Sequence, residues 1–370
     1  MVRRALTATG HDVVWTDISQ ETGRWVEWTP IGRVIHAMQK VMVSLSHQPG
    51  GPADLVVVHG DRHEILAAAV ASNVMGVPVA HIGGGDLTEG SQDDCFRHAI
   101  TKLAHLHFPS NADSADRIVQ MGEQPSRVHV TGCPGLDMVA ETEILSREDT
   151  FRSACLTPCE RLVLVVFHPN TLGDTRAEVK ALTDALEPRR EAIVLCGPNA
   201  DEGCDIIRSA WDWLIVKALP DSTPVSDPRA RTGRVVGHDN LEPRVFHSLM
   251  AHADVMVGNS SAGFYEAPHF GIPVVNIGDR QLGRVVPPNV TTVGPDAEMI
   301  SAVVDQAMAM PRNTLGSSLY GDGHAAARIA GVISAIWDPK PLLRKQFSGP
   351  GEYFQPIEPI PWDPADGLPF

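Results

Sequence analysis

The chain has no run of about 18 consecutive apolar residues, so no membrane-spanning helix is expected. Its N-terminus, M-V-R-R-A-L-T-A-T-G-H, lacks the apolar centre of a signal peptide. The six cysteines (95, 133, 155, 159, 196, 204) are scattered, and Cys155 and Cys159 form a C-x3-C pair with no second pair at metal spacing. That excludes a zinc-ligand pattern and fits the reduced thiols of a cytoplasmic protein. Basic charge is short as well: 30 Lys and Arg against 45 Asp and Glu give a formal net charge of −15. A broad nucleic-acid surface is thereby excluded, but a small anionic ligand held by a few local arginines and helix N-termini is not. There is no P-loop, no G-x-G-x-x-G fingerprint and no internal repeat.

What is present is a 370-residue soluble-type chain, long enough for two domains. Short β-branched runs alternate with helical patterns. Strands are predicted at 54–58, 77–82, 106–109, 127–131, 161–167, 192–196, 213–218, 254–257 and 273–277. Helical windows fall at 64–74, 93–103, 111–121, 175–187, 242–251 and 261–269. Alternating β and α with continuously apolar strands predicts an α/β fold with parallel sheets buried on both faces. We place a first unit at 1–137, a second at 138–345 and an extended tail at 346–370. The segment 219–240, rich in Pro, Ser and Asp, reads as an exposed loop.

Two stretches carry the chemistry. The first runs from His59 to His107 and contains His59, Asp61, Arg62, His81, Asp86, Glu89, Asp93, Asp94, Arg97, His98, Lys102, His105 and His107. Acids, bases and cations at that density suit proton transfer on an anionic substrate. Asp61 follows a strand and a glycine, so it projects from the sheet end. Asp86 and Glu89 lie in a loop that opens with Gly83, Gly84 and Gly85, where backbone and ligand can approach closely. Asp93 and Asp94 open a helix, and one of the two is expected to cap it.

The second stretch is V-G-N-S-S-A-G-F-Y-E, 257–266. Ser260 and Ser261 open a helix, where free N–H groups, hydroxyls and the helix dipole favour an anion, as well as suiting an ordinary N-cap. Glu266 follows one turn later, where a carboxylate can accept two ribose hydroxyls. Arg280 and Arg284 follow the next strand, and His168 follows the strand 161–167. Cations and imidazoles at strand ends are suited to a diphosphate.

The motifs H-G-D-R, R-H-A-I-T-K-L-A-H-L-H, T-G-C-P-G-L-D, H-P-N-T, G-P-N-A-D-E-G, V-G-N-S-S-A-G and N-I-G-D-R-Q-L-G-R occur here in one order. In that order, over about 54–347, the chain resembles the hydrolysing UDP-N-acetylglucosamine 2-epimerases of sialic- and legionaminic-acid-type pathways. The resemblance implies a GT-B-like fold, with two Rossmann-type domains whose parallel sheets face a central cleft. It also implies elimination of UDP from UDP-GlcNAc or a close UDP-sugar, rehydration of the glycal, and release of a free ManNAc-type sugar. Mapped onto this chain, Ser260, Ser261, Arg280 and His168 hold the diphosphate, Glu266 holds the ribose, and Asn199 lies near the nucleotide. Arg62 neutralises the leaving phosphate. Asp61, Asp86 and Asp93 form the acid/base set, supported by His59, His81 and Glu89, and the three aspartates are equal candidates for the C2 proton. No metal or other cofactor is implied, and a homodimer or homotetramer is expected. The family's opening strand and its phosphate-reaching arginine loop have no counterpart in 1–53, which predicts an exposed edge on the first sheet. A UDP-sugar-binding protein of weak activity and a non-hydrolysing epimerase are the competing readings.

Overall fold

The β-branched runs Val56–His59 (β1), Val79–Ile82 (β2) and Leu106–Phe108 (β3) form a parallel sheet in the order β1-β2-β3. The computed structural model describes residues 1–14, 16, 30–46, 53–219, 232–310 and 319–349. Among these, β1 pairs with β2 alone. One face of the sheet is covered by α2 (Pro30–Ser46), α3 (His63–Val74) and α4 (Asp93–Leu103), which bury Val41, Leu45, Ala68, Ala71 and Ile100 against Val58 and Val79. The opposite face carries Ala80, Ile82, Leu106 and Phe108, packed on Leu6 of α1 (Val2–Ala8). Helix α5 (Ala112–Gln120) follows β3, capped by Asn111 Oδ1, which accepts from the Ser114 N–H at 2.9 Å.

After α6 (Pro134–Glu141) and α7 (Arg147–Ser153) the chain builds a second parallel sheet. Its strands are β4 (Leu162–Val166), β5 (Ala192–Cys196), β6 (Val235–His238), β7 (Val255–Gly258), β8 (Val274–Ile277) and β9 (Val290–Val293). The order is β6-β5-β4-β7-β8-β9. The two halves diverge at the β4/β7 pair, and a doubly wound sheet binds ligands at the strand C-termini beside such a divergence. The period-2 alternation of β4 divides the core. Val163 and Val165 meet α8 (Thr175–Leu186), α9 (Cys204–Lys217) and α13 (Ala297–Ala309), whereas Leu162, Leu164 and Val166 meet α7 and α10 (Pro243–His252). The short helices α11 (Ala262–Tyr265) and α12 (Ala267–Phe270) precede α13.

The fold departs from the sequence reading in five places. Strand β9 is not among the predicted strands, because its Thr291 and Thr292 are exposed and it shows no continuous apolar run. The run 213–218 is the last part of α9, not a strand: Trp211, Leu214 and Ile215 are buried at helical spacing. The segment 127–131 makes only an isolated bridge between Val128 and His107. Strand β6 emerges inside the expected loop 219–240, because Val235 and Val236 complete the apolar sheet. The window 261–269 is interrupted at Glu266, since Pro268 in the first turn of α12 offers no N–H to continue α11. Residues 220–231 of that loop and 350–370 of the tail lie outside the described residues.

The last helix, α14 (Ala325–Ser334), falls within the 138–345 segment but packs on the first sheet, with Ile329, Ala330 and Ile333 against Ala80, Ile82, Leu106 and Phe108. Buried Asp137 of α6 anchors it: its two carboxylate oxygens accept from Ala325 N at 2.9 Å and Ala326 N at 2.7 Å. The T-G-C-P-G-L-D motif therefore ends in a cap for a helix nearly two hundred residues away. Beyond α14, Arg127 donates to the carbonyls of Leu342 and Arg344 at 2.6 and 2.9 Å, and Lys345 pairs with buried Glu123 at 2.7 Å. We predict that Asp137→Ala lowers stability by about 2 kcal/mol, since it strands two N–H groups at a helix start. Urea unfolding measures this, and an unchanged midpoint would show that α14 does not depend on that cap.

Candidate active site

The loops that leave the C-terminal strand ends of the two sheets meet face to face. The Glu89 N–H donates to the Leu282 carbonyl at 2.9 Å, Gln92 N donates to Thr171 Oγ1 at 3.1 Å, and Arg62 pairs with Asp201 at 3.0 Å. The approach is close enough that a side chain at Gly90 would place its Cβ 2.1 Å from the Asp279 carbonyl oxygen. Between the loops lies a cavity of about 270 Å³, lined on one side by His59, Asp61, Asp86 and Arg97 and on the other by Ser261, Tyr265, Glu266 and Arg284. A second cavity of about 260 Å³ adjoins it through Glu266 and is lined by Gly197, His238, Leu241, Phe246 and His247.

Arg97 organises the acid side. Its guanidinium is 1% exposed, and it donates to Asp61 Oδ2, to Asp94 Oδ1 at 3.1 Å, to Thr88 Oγ1 at 2.8 Å and to the Asp86 carbonyl at 3.0 Å. Neither Asp93 nor Asp94 caps α4, contrary to expectation, because Gln92 occupies the cap position and Asp94 is turned back to Arg97 and the Thr88 N–H. Gly85, at φ +82, lets the loop lie against α5, where a Cβ would meet the Ser114 carbonyl oxygen at 2.2 Å. That contact brings Asp86 to Ser114, whose hydroxyl donates to Oδ1 at 2.7 Å. Asp86 Oδ2 accepts from the Tyr265 hydroxyl and from Arg284 Nη1, the latter at 3.0 Å.

The carboxyls differ in charge state. Burial alone would raise the Asp61 carboxyl, but the charge and hydrogen bond of Arg97, with Arg284 behind, hold it below its ordinary value. Asp93 stands outside the cavity lining, within the fields of Asp61, Arg62, Asp201 and Arg280. Burial, reinforced by the Asp61 charge, pushes its carboxyl up to about 6. Carboxyls driven apart in this way divide acid and base work between them.

The expected histidines and Glu89 part company. His59 lines the cavity. His81 does not: it is fully buried, with Nε2 2.9 Å from the Gly60 carbonyl and Nδ1 3.3 Å from Thr101 Oγ1. Burial lowers it to about 3, so it is a neutral support for the turn that carries Asp61 rather than a proton carrier. Glu89 is exposed; its backbone N–H bonds across the cleft to the Leu282 carbonyl, and its side chain lies against Gly283.

On the anion side, His168 follows β4, and Ser260 and Ser261 follow β7, on the two sides of the divergence in the second sheet. Burial and the nearby Arg280 charge lower His168 to about 4, so the ring is neutral. Its Nδ1 accepts from the Asn199 N–H at 3.2 Å, which places the remaining proton on Nε2 as a donor. Ser260 is buried, and its hydroxyl accepts from the Ala262 N–H at 3.3 Å. Arg280 donates to the Asn259 carbonyl at 3.2 Å and has no carboxylate ion-pair partner among the described residues. Burial and then Arg284 lower its guanidinium, so an incoming anion would relieve it. Arg62 is already paired to Asp201 and must leave it to reach a ligand. Glu266 stands between the cavities, 3.5 Å from His247 Nε2. Tyr265 and Ser114 were not singled out in the sequence, and Arg284, read there as a phosphate group, instead binds Asp86.

Residues 26–334 match the UDP-N-acetylglucosamine 2-epimerase family. The chain is 35% identical over 240 residues to GDP/UDP-N,N'-diacetylbacillosamine 2-epimerase (hydrolyzing) of Campylobacter jejuni, covering 64% of this chain and 59% of that protein. It is 31% identical over 285 residues to UDP-N,N'-diacetylbacillosamine 2-epimerase (hydrolyzing) of Legionella pneumophila, covering 76% and 71% respectively. The match thus spans less than two thirds of the Campylobacter protein's length. In fold, the chain resembles the Methanocaldococcus jannaschii UDP-GlcNAc 2-epimerase crystallised with UDP-GlcNAc and UDP, at TM-score 0.66 and 16% identity over 83% of this chain and 82% of that one. The arrangement of two parallel α/β units around a cleft is GT-B-like.

The charge state of Asp93 has a consequence for stability. A carboxyl raised from 3.8 to about 6 in the folded protein binds its proton more tightly folded than unfolded. No penalty exists below about pH 3, where both states are protonated. It grows as pH rises and is complete above about pH 6. After allowance for partial solvent exposure, Asp93→Asn should therefore stabilise the protein by about 1–2 kcal/mol at pH 8 and hardly at all at about pH 3. Thermal melts at the two pH values check this, and a lower melting temperature of the variant at pH 8 would contradict it.

Proposed function

The chain belongs to the UDP-N-acetylglucosamine 2-epimerase family, and from that premise we propose that it is a hydrolysing 2-epimerase acting on a UDP-linked 2-acetamido sugar. The substrate is UDP-GlcNAc or a 2,4-diacetamido relative, and the products are UDP and the free 2-epimerised sugar. The observation that carries this reading is the set of carboxylates Asp61, Asp86 and Asp93 gathered near buried arginines, with Asp61 lowered and Asp93 raised from the ordinary carboxylate value. The two relatives reported above are both hydrolysing enzymes by name, which favours release of free sugar over return of a UDP-linked epimer.

The cleft suits the chemistry in the following way. The nucleoside occupies the cavity beside Phe246 and His247, with Glu266 accepting the ribose hydroxyls. The diphosphate lies at the β4/β7 divergence, bound by Arg280, by the neutral His168 Nε2–H and by the Ser260–Ser261 turn. Asn199 orients His168, and Arg62 moves from Asp201 to the departing phosphate. The sugar fills the 270 Å³ cavity, where Asp61 and Asp86 are the base positions. As the C2 proton moves to a carboxylate, the C2–H electron pair forms the C1=C2 bond and the C1–O bond to UDP breaks. C2 is weakly acidic, so departure of UDP in the same step, with cations on the developing charge, lowers the barrier. Asp93, at about 6, is the carboxyl able to carry a proton near neutral pH; standing outside the cavity lining, it is our candidate to resupply the carboxyl that protonates C2, while water adds at C1 and its proton passes to the carboxylate set. His59 supports this set from the cavity wall. We further propose that the protein acts in the cytoplasm as a homo-oligomer.

Proton NMR in D2O with UDP-GlcNAc and with a UDP-2,4-diacetamido sugar tests the proposal. We expect free UDP and a free 2-epimerised sugar bearing deuterium at C2. An epimer that stays linked to UDP, or no release of UDP from either compound, would overturn it.

A further inference from the structure

Of three hydrogen bonds to one carboxylate, two cross the boundary between the two halves. Asp86, in the loop after β2, and its partner Ser114 on α5 both belong to the first half. Tyr265, at the end of α11, and Arg284, in the loop after β8, belong to the second. The Tyr265 hydroxyl donates to Asp86 Oδ2 and accepts from Arg284 Nη1, which also donates to Oδ2 at 3.0 Å. The ring is fixed independently: it packs on Tyr320 at 4.2 Å between centroids, and the Arg284 guanidinium lies 4.9 Å from its centre. Tyr320 is in turn held by its hydroxyl, which donates to the Val285 carbonyl at 2.8 Å. Burial keeps the Tyr265 phenol well above its ordinary range, so it serves as a neutral donor and not as a phenolate.

A carboxylate offers about four lone-pair sites, two on each oxygen. On Asp86 both sites of Oδ2 are taken by Tyr265 and Arg284, while Oδ1 accepts from Ser114 alone among the described residues. We propose that Tyr265 is a positioning residue for proton transfer: by bridging Arg284 and Asp86 across the cleft it pins the Asp86 carboxylate at the cavity wall in one orientation toward the substrate. Because both partners of Oδ2 come from the second half, Asp86 is held in this geometry only while the two halves are closed on each other. The inference rests on the epimerase reading and adds to it a residue that makes no bond to the reacting atoms.

The test compares wild type with Tyr265→Phe, which keeps the ring and its packing on Tyr320 but removes the hydroxyl. We expect kcat for UDP release to fall about 10- to 100-fold, with KM within about threefold. We also expect the acid-side limb of the pH–kcat profile to move to higher pH by about half a unit or more, because a carboxylate that loses a donor holds its proton more tightly. A residue that merely packs would not move that limb. Arg284→Lys, which retains the cation but loses the fork, provides a second variant and should move the limb in the same direction. Unaltered kcat and pH limb in Tyr265→Phe, beside an active wild type, would overturn this inference alone. A wild type that releases no UDP would overturn the epimerase reading and this inference with it.

Discussion

The buried ion pair between Arg284 and Asp86 is the interaction on which the cleft depends. Taking both charges out of water costs several kcal/mol, and the pair is tolerable only because each is further satisfied. Asp86 gains Ser114 and Tyr265, and Arg284 gains the Tyr265 hydroxyl. Since the two partners sit on different sheets, the pair also sets how the halves meet. The Glu89–Leu282 and Gln92–Thr171 bonds extend the same seam. Breaking the pair from one side would leave a buried charge unpaired, so the closed arrangement and the state of Asp86 are one physical fact.

From that pair the rest of the electrostatics follows. Arg97 answers Asp61 as Arg284 answers Asp86, each proposed base position being paired with its own buried guanidinium. Asp93 has no arginine bonded to it among the described residues, and burial, with the repulsion of Asp61 added, raises it toward neutrality. Arg280, buried and repelled by Arg284, lacks a carboxylate ion-pair partner among the described residues and is therefore the cation we propose for the ligand. A chain of net charge −15 therefore presents a local site for an anion, because the sign of the whole says little about a cleft in which four arginines converge.

Much of this was legible in the residues. The strand ends carrying Asp61, Asp86, His168 and Ser260 could be placed because β-branched runs followed by glycine and small polar residues report both a strand and its exit. Other parts were not. The apolar run Leu214–Ile215–Val216 fits a strand or a helix, and only its register with Trp211 against the second sheet selects the helix. The amphipathic pattern of α14 shows that one face is buried but not that it returns to the first sheet, a choice made by Asp137 at long range. His81 reads as a catalytic group by its neighbours, yet it faces inward because β2 is buried on both sides. Tyr265 carried no signal apart from its hydroxyl, since its role depends on a carboxylate 179 residues earlier.

The central claim is that Asp86, and not only the anion site, performs chemistry in a cleft that both halves build. Calorimetric titration of UDP into Asp86→Asn, beside measurement of its turnover, tests this most directly. The account predicts UDP affinity within about threefold of wild type, because the anion site does not use Asp86, and a loss of kcat of about a thousandfold or more. An Asp86→Asn variant that binds UDP normally and still turns over at close to the wild-type rate would contradict it.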